Sequence, residues 1–355
     1  MRINGKEGVK YTLDDISIKP YEVTDVKDVN ECNPNDNFGK LPIFTNPSKM
    51  VVNDVNYKTY LDNNIKPIIP ITVDIDRRLE ILKEEVWVAF SVDEFEKHFT
   101  SDEHLEVPTN TKYYVLIDSD TGNANAMYET VLKANEIYHD RICTMVNNIT
   151  NPQTYRKVFE SDINFVCITD TIGDSGIKYP IVSLLDEVIG VRDEIRSTGV
   201  CGCRLPKIVV KADVQSQSDI IKLLAVGADH VMVDTLLVKT LESAAPKSID
   251  WQDGENGGTF SEIYKKNGIW YGVYSEEFVN ETNDKITDDT QKLKVEEVAI
   301  GTITAKVGDT KPIEVDYTVG QWAERLKDNI RLVLKACNGH SIFDLNHNTP
   351  LLLLK

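Results

Sequence analysis

The chain predicts a single α/β barrel of the (β/α)8, or TIM-barrel, class. Eight short β-rich runs alternate with helical patterns from residue 41 onward, which favours a parallel sheet wrapped by helices. Most of those runs are continuously apolar, as strands buried on both faces of a sheet must be. One barrel also commonly uses this much chain, 355 residues.

In order, the strands are expected at "LPIF" (41–44), "KPIIPI" (66–71), "VWVAF" (86–90), "KYYVLID" (112–118), "RICTMV" (141–146), "INFVCIT" (163–169), "KIVVKA" (207–212) and "HVMVD" (230–234). Between them lie amphipathic stretches such as "DIDRRLEILKEE", "VDEFEKHF" and "PIVSLLDEVIGVRDEIRS". In "SQSDIIKLLAVG" the apolar residues fall at helical spacing, and Gly227 supplies the stop. The first forty residues read as an N-terminal arm packed beneath or beside the barrel. After the eighth strand, residues 244–316 form a detour rich in Gly, Asn, Asp and Thr, with hairpin-like pieces such as "GIWYGVY" and "KPIEVDY". A detour of this length suggests an ordered flap over the barrel mouth, with mobile turns around 280–292. The helical pattern resumes at "VGQWAERLKDNIRLVLKAC" (319–337).

A formal net charge of −18 argues against nucleic-acid or anionic-membrane partners, because both select basic surfaces. An anionic small molecule stays open, since backbone N–H groups can hold one locally. The apolar runs are far too short to span a bilayer. Six scattered cysteines read as reduced thiols, which points to the cytoplasm. Cys201 and Cys203 lack a matching His or Cys pair, and the six histidines are dispersed, so no metal is expected.

Chemistry in such barrels gathers at the C-terminal ends of strands. In "LIDSDTGNANAM" (116–127) an apolar run stops at Asp118. Asp118 is either a ligand-holding carboxylate or a polar strand end, with Asn123 near a helix N-cap. Lys211, at the end of the seventh strand, reads as a base or carbonyl binder, or else as a salt-bridged lysine.

Several collinear segments resemble the IMP dehydrogenase/GMP reductase family. They are "YTLDDISIKP" (11–20), "LPIFTNPSKMVV", "IDSDTGNA", "GADHVMVDTLLVKT" (227–240), "NGIWYGVYSEEF" (267–278) and the closing "ACNGHSIFDL". Together they span almost the whole chain, whose length without an inserted regulatory (CBS) module is closer to GMP reductase. The resemblance implies a purine-nucleotide oxidoreductase using NAD(P)(H), and self-assembly as in the family's tetramers. Asp118, Ser119, Gly122 and Asn123 match the family's strand 4 cofactor segment, whose Asp binds the ribose, and Asn147 aligns with an Asn on its strand 5.

The matches fail where that family does its chemistry. Its nucleophilic Cys loop is replaced by "CITDTIGDSGIKYP", which sets Asp174 or Ser175 at the nucleophile's position. Cys167 stands instead at the end of the strand. Asp cannot form the family's thiolate adduct, so thiol-dependent turnover of GMP or IMP is not expected. The phosphate cradle is also altered: on strand 7 Lys211 replaces the family's ribose-holding Asp and Ala212-Asp213 its glycines, and on strand 8 Asp234 and Thr235 replace Gly-Gly or Gly-Ser. Ser48 stands in the strand 1 loop, and Trp270 could cover a ligand or pack the flap. The alternative reading is therefore a catalytically inactive or repurposed barrel that binds another ligand or serves a structural or regulatory role.

Overall fold

Each of the eight apolar runs forms a strand, and all eight are parallel neighbours in one sheet. The structure is a computed structural model that describes residues 10–101, 104–108, 111–173, 175–251, 260–284, 297–307 and 312–354. The turns expected around 280–292 lie largely outside these residues, as does Asp174.

A short strand, β1 (Ile16–Ile18), precedes the barrel. The barrel then runs β2 (Ile43–Thr45), α1 (Tyr57–Asp62), β3 (Ile68–Ile69), α2 (Ile75–Leu82), β4 (Trp87–Phe90), α3 (Val92–Phe99), β5 (Tyr113–Ile117) and α4 (Asn125–Tyr138). It continues through β6 (Ile142–Ile149), α5 (Thr154–Glu160), β7 (Phe165–Thr169), α6 (Ile181–Ser197), β8 (Lys207–Lys211), α7 (Gln217–Val226), β9 (His230–Val233) and α8 (Thr235–Val238). The strand order β2-β9-β8-β7-β6-β5-β4-β3 nearly closes into a barrel. A parallel bridge between Phe44 and Lys66, just ahead of β3, joins the ends. The run expected over 66–71 shrinks to two residues because Pro67 and Pro70 flank it and can donate no ladder hydrogen bond.

Period-two alternation sorts the strand residues. Phe44, Trp87, Ala89, Leu116, Met145, Cys167, Val209 and Met232 fill the barrel interior. The opposite faces, including Val88, Val115, Val146, Val166 and Val210, pack beneath the helices. Burying one such side chain fully is worth about 1.5–3 kcal/mol. Capping boxes start α3 (Ser91 with Glu94) and α7 (Ser216 with Asp219). Gly227 ends α7 at φ +131°, where an added Cβ would stand 2.6 Å from Ile189.

After α8 the chain leaves the barrel for an antiparallel sheet of β10 (Lys247–Trp251), β11 (Phe260–Lys266), β12 (Ile269–Tyr274) and β13 (Glu297–Ala305), with β14 (Ile313–Glu314) on β13. The short helix α9 (Glu276–Asn283) follows β12. The root of this insertion is tied to the loop after β2: Ala244 and Ala245 N–H groups donate to the carbonyls of Val51 and Met50 at 3.0 and 2.8 Å. The chain then returns through α10 (Val319–Ala336), α11 (Ile342–Asn348) and β15 (Leu351–Leu353), which pairs antiparallel with β1. Residues 33–40 cross the N-terminal end of the barrel, where Asp36 pairs with Lys66 and His230. Among the described residues no helix is long and apolar enough to cross a membrane.

Candidate functional site

The C-terminal ends of the strands carry a polar ring, and its composition follows from the same alternation. Phe44, Leu116, Met145, Cys167, Val209 and Met232 point inward. Two residues further on, with the same parity, stand Asn46, Asp118, Asn147, Thr169, Lys211 and Asp234. Strand pairing sets Thr169 beside Lys211. Two hydrogen bonds stitch the ring across strands: Asn147 Nδ2 donates to Asp118 Oδ1 at 3.1 Å, and Asn46 Nδ2 donates to Asp234 Oδ2 at 2.7 Å. Asn46 Oδ1 is buried with no partner among the described residues.

A bulge in β6 shapes one side of the ring. Pairing with β7 slips between Val146 and Ile149, and Asn148 sits at φ +59°. Bulges of this kind re-aim side chains at barrel rims. The Asn147 side chain accepts the Asn148 N–H at 2.8 Å, while Asn148 Nδ2 donates to the Ser119 carbonyl at 2.6 Å. Gly122 packs directly onto the bulge, and a Cβ there would meet Ile149 Cδ1 at 2.1 Å and the Asn147 carbonyl at 2.4 Å. The space beside Gly122 is thus already taken by protein. Ser119 Oγ is spent on the Thr121 carbonyl at 2.6 Å, and Asn123 is exposed. The N-cap of α4 is Ala124, with no side-chain capping bond. Asp118 therefore faces the ring and does not serve as a helix-start residue.

Lys211 is half-buried, and among the described residues no carboxylate lies within ion-pair distance of it. Its charge still reaches Asp234 and Cys167, and counts among the causes of their shifts. Burial raises the Asp234 carboxyl above the usual carboxylate range, against the opposing pull of Asn46 and Lys211. Burial likewise raises Asp170, and the nearby charge of Asp213 adds to it. Asp213 itself is exposed and takes a hydrogen bond from Gln215.

The loop after β7 folds into a tight hairpin, with Thr171 bridged to Lys178. Ser175 Oγ donates to the Ile172 carbonyl and accepts the Ile177 N–H at 3.2 Å, so this hydroxyl holds a turn. Beneath the ring, Cys167 has no exposed surface, and burial pushes its thiol up to about 12. A thiol so placed supplies almost no thiolate near neutrality.

Of the other residues singled out from sequence, Ser48 lies in the loop after β2, where its Oγ accepts the Met50 N–H at 3.3 Å. Thr235 opens α8 directly after Asp234. Trp270 is apart from the ring, fully buried in the antiparallel sheet, with Nε1 donating to the Val315 carbonyl at 3.0 Å. Asn46 and Asp170 belong to the mouth but were not among the residues singled out from sequence. The signal that finds Asn46 is its position one residue past β2, equivalent to that of Asp118 past β5. Among the described residues no cluster of three His, Cys, Asp or Glu side chains could hold a metal.

Compared with protein-family models and with curated proteins, the chain matches none.

Proposed function

We propose that the protein is a repurposed barrel of the IMP dehydrogenase/GMP reductase type, whose mouth binds an unphosphorylated, hydroxyl-rich ligand such as a nucleoside. The observation that carries this reading is the pairing of a polar ring at the mouth with a fully buried, protonated Cys167 below it. Asp118 and Asp234 offer oxygen acceptors suited to ribose hydroxyls, while Asn46, Asn147 and Lys211 offer acceptors and donors for a base or carbonyl. Four carboxylates at or beside the mouth, Asp118, Asp170, Asp213 and Asp234, disfavour a phosphate dianion by like-charge repulsion. Lys211 offsets one of these charges.

The second reading keeps the family's oxidoreduction of a purine nucleotide with NAD(P)(H). The half-buried Asp118, held by Asn147, fits a ribose contact of that cofactor. Gly122 does not fit a pyrophosphate cradle, because Ile149 and Asn147 fill the space beside it. When bound, the nicotinamide would supply hydride chemistry, and Asp118 and Asn147 would hold its ribose.

A thermal-shift panel of purine nucleosides, nucleotides, free bases and NAD(P)(H) separates the readings. A ligand at about a hundredfold its Kd stabilises by about 2.7 kcal/mol, a shift easily seen. The expected result is stabilisation by an unphosphorylated ligand, weakened in Asp118→Asn and Lys211→Met. Steady-state turnover of GMP with NADPH, or of IMP with NAD, that a thiol alkylator abolishes would overturn the proposal. Stabilisation only by nucleotide together with cofactor would favour the second reading.

A further inference from the structure

The opposite, N-terminal end of the barrel contains an open cavity of about 260 Å³. Its floor is the lower layer of the barrel interior: Phe44, Trp87, Tyr114, Cys143 and Phe165. The aromatic rings meet edge to face, Phe44 to Trp87 at 5.4 Å and Trp87 to Phe165 at 5.2 Å between centroids. Deeper interior residues such as Ala89, Leu116, Cys167 and Val209 have no exposed surface, whereas Trp87, Cys143 and Phe165 retain 6, 6 and 8%. Solvent therefore enters this end of the barrel and reaches its aromatic floor.

Two further features point to an occupant. Tyr114 lines the cavity, and its Oη makes no hydrogen bond to another described residue, so a polar group borders the apolar slot. Lys40, Lys66 and Lys112 stand around it. Lys66 is committed to Asp36 at 2.5 Å and lies 5.4 Å from the Phe44 ring. Neither Lys40 nor Lys112 has a carboxylate within ion-pair distance among the described residues. Among the described lining residues the one carboxylate is Glu85, whose Oε1 accepts the backbone N–H of Lys112 at 3.0 Å. On a chain of net charge −18, Lys112 and Lys40, whose Nζ donates to the neutral Asn64 amide oxygen at 3.4 Å, make a local cationic rim beside one apolar cavity.

We propose that this cavity is a second binding site, at the end of the barrel opposite the mouth, for a small aromatic carboxylate whose ring enters the slot and whose anion meets Lys40 and Lys112. Size agrees with this class: an apolar cavity of about 150 Å³ accepts benzene, so this one has room for one or two fused rings. The walls supply edge and face contacts for such a ring, and the ammonium groups supply charge-assisted hydrogen bonds.

The test uses 2-naphthoate and its neutral counterpart 2-naphthalenemethanol, titrated calorimetrically into the full chain. Saturable binding of 2-naphthoate with a submillimolar Kd is expected. Replacing both lysines, Lys40→Met with Lys112→Met, should weaken naphthoate about tenfold and leave the alcohol within about twofold. Cys143→Phe should abolish binding of both by filling the slot. If that variant does not fold, Leu61→Trp blocks the same cavity from its rim. Absence of saturable binding to the wild-type chain, or binding that survives a folded filling variant, overturns the site. Equal losses for acid and alcohol in the lysine variant overturn the assignment of an anionic ligand. None of these readouts depends on the mouth, so failure here leaves the reading of the polar ring intact.

Discussion

The two ends of one barrel are built from the same eight strands and yet solve opposite problems. At the C-terminal mouth the inward positions are polar: Asn46, Asp118, Asn147, Thr169, Lys211 and Asp234. Burial raises Asp234 in the ring and Asp170 beside it, and Lys211 has no carboxylate within ion-pair distance among the described residues. At the N-terminal end the inward positions are aromatic, and the buried carboxylates near them are paired. Asp36 lies within 2.5 Å of Lys66 and 3.0 Å of His230, and Asp229 within 3.2 Å of Lys207 and 3.3 Å of Arg192. Burial alone would raise Asp36, but the hydrogen bond from His230 and the charge of Lys66 more than offset it, and its carboxyl sits well below the usual range. On the proposed reading, the unmatched charge of the mouth is what a ligand completes, whereas the paired carboxylates of the lower end hold the fold together. The open cavity at the matched end shows that the division is not complete.

The largest test of this contrast compares two lysines. Lys66→Met removes the partner of a buried carboxylate, a change that typically costs about 3–5 kcal/mol. Lys211→Met removes a cation with no carboxylate within ion-pair distance among the described residues, and its expected cost is under about 1 kcal/mol. Urea unfolding of both variants measures the difference. Equal losses would mean that the mouth lysine stabilises the fold just as the lower one does.

A smaller effect is expected at Gly122. Alanine there would force its Cβ into Ile149 and the Asn147 carbonyl, so the β6 bulge must shift. Overpacking of this kind costs about 1–3 kcal/mol. The sharper readout is ligand binding at the mouth, because moving the bulge moves Asn147 away from Asp118. A Gly122→Ala variant that loses stability but keeps full mouth binding would separate the bulge from the site.

Much of this contrast is legible in the sequence, and the part that is not has a physical reason. The eight runs of β-branched and apolar residues mark the strands, because buried parallel strands leave little room for anything else. Strand ends then locate Asp118, Lys211 and Asp234. The β6 bulge is invisible in "RICTMVNNIT", since Asn147 and Asn148 read as a loop and not as two more strand residues with a slipped register. The close approach of Gly122 to that bulge is tertiary and has no local signal. Trp270 looks available in "NGIWYGVY", yet cross-strand pairing buries it completely. The cavity at the lower end is hidden for a similar reason. Trp87, Cys143 and Phe165 read as ordinary core, and only the packing shows that the core is incomplete there.

The smallest expected effect is also the one whose sign separates the two ends. Asp234 is raised above its ordinary value near 3.8, so the native state holds its proton more tightly than the unfolded chain does. Its contribution to stability therefore falls as pH rises through that window and is unfavourable at neutrality. Asp36 is depressed, so its contribution is present above about pH 4 and is lost as pH falls further. His230 is also depressed, chiefly by burial and by the charge of Lys66, and its contribution is lost as pH falls below about 6.5. Acidification should thus weaken the lower end while relieving the mouth. Asp234→Asn keeps the acceptor for Asn46 Nδ2 and removes the buried charge. It should raise the urea midpoint near pH 7, with the gain over wild type shrinking toward pH 4 as the native carboxyl protonates. A variant less stable than wild type at pH 7 would show that Lys211 compensates Asp234 after all. The mouth would then be a matched charge cluster like the lower end, and the case for a ligand that completes it would lose its electrostatic basis.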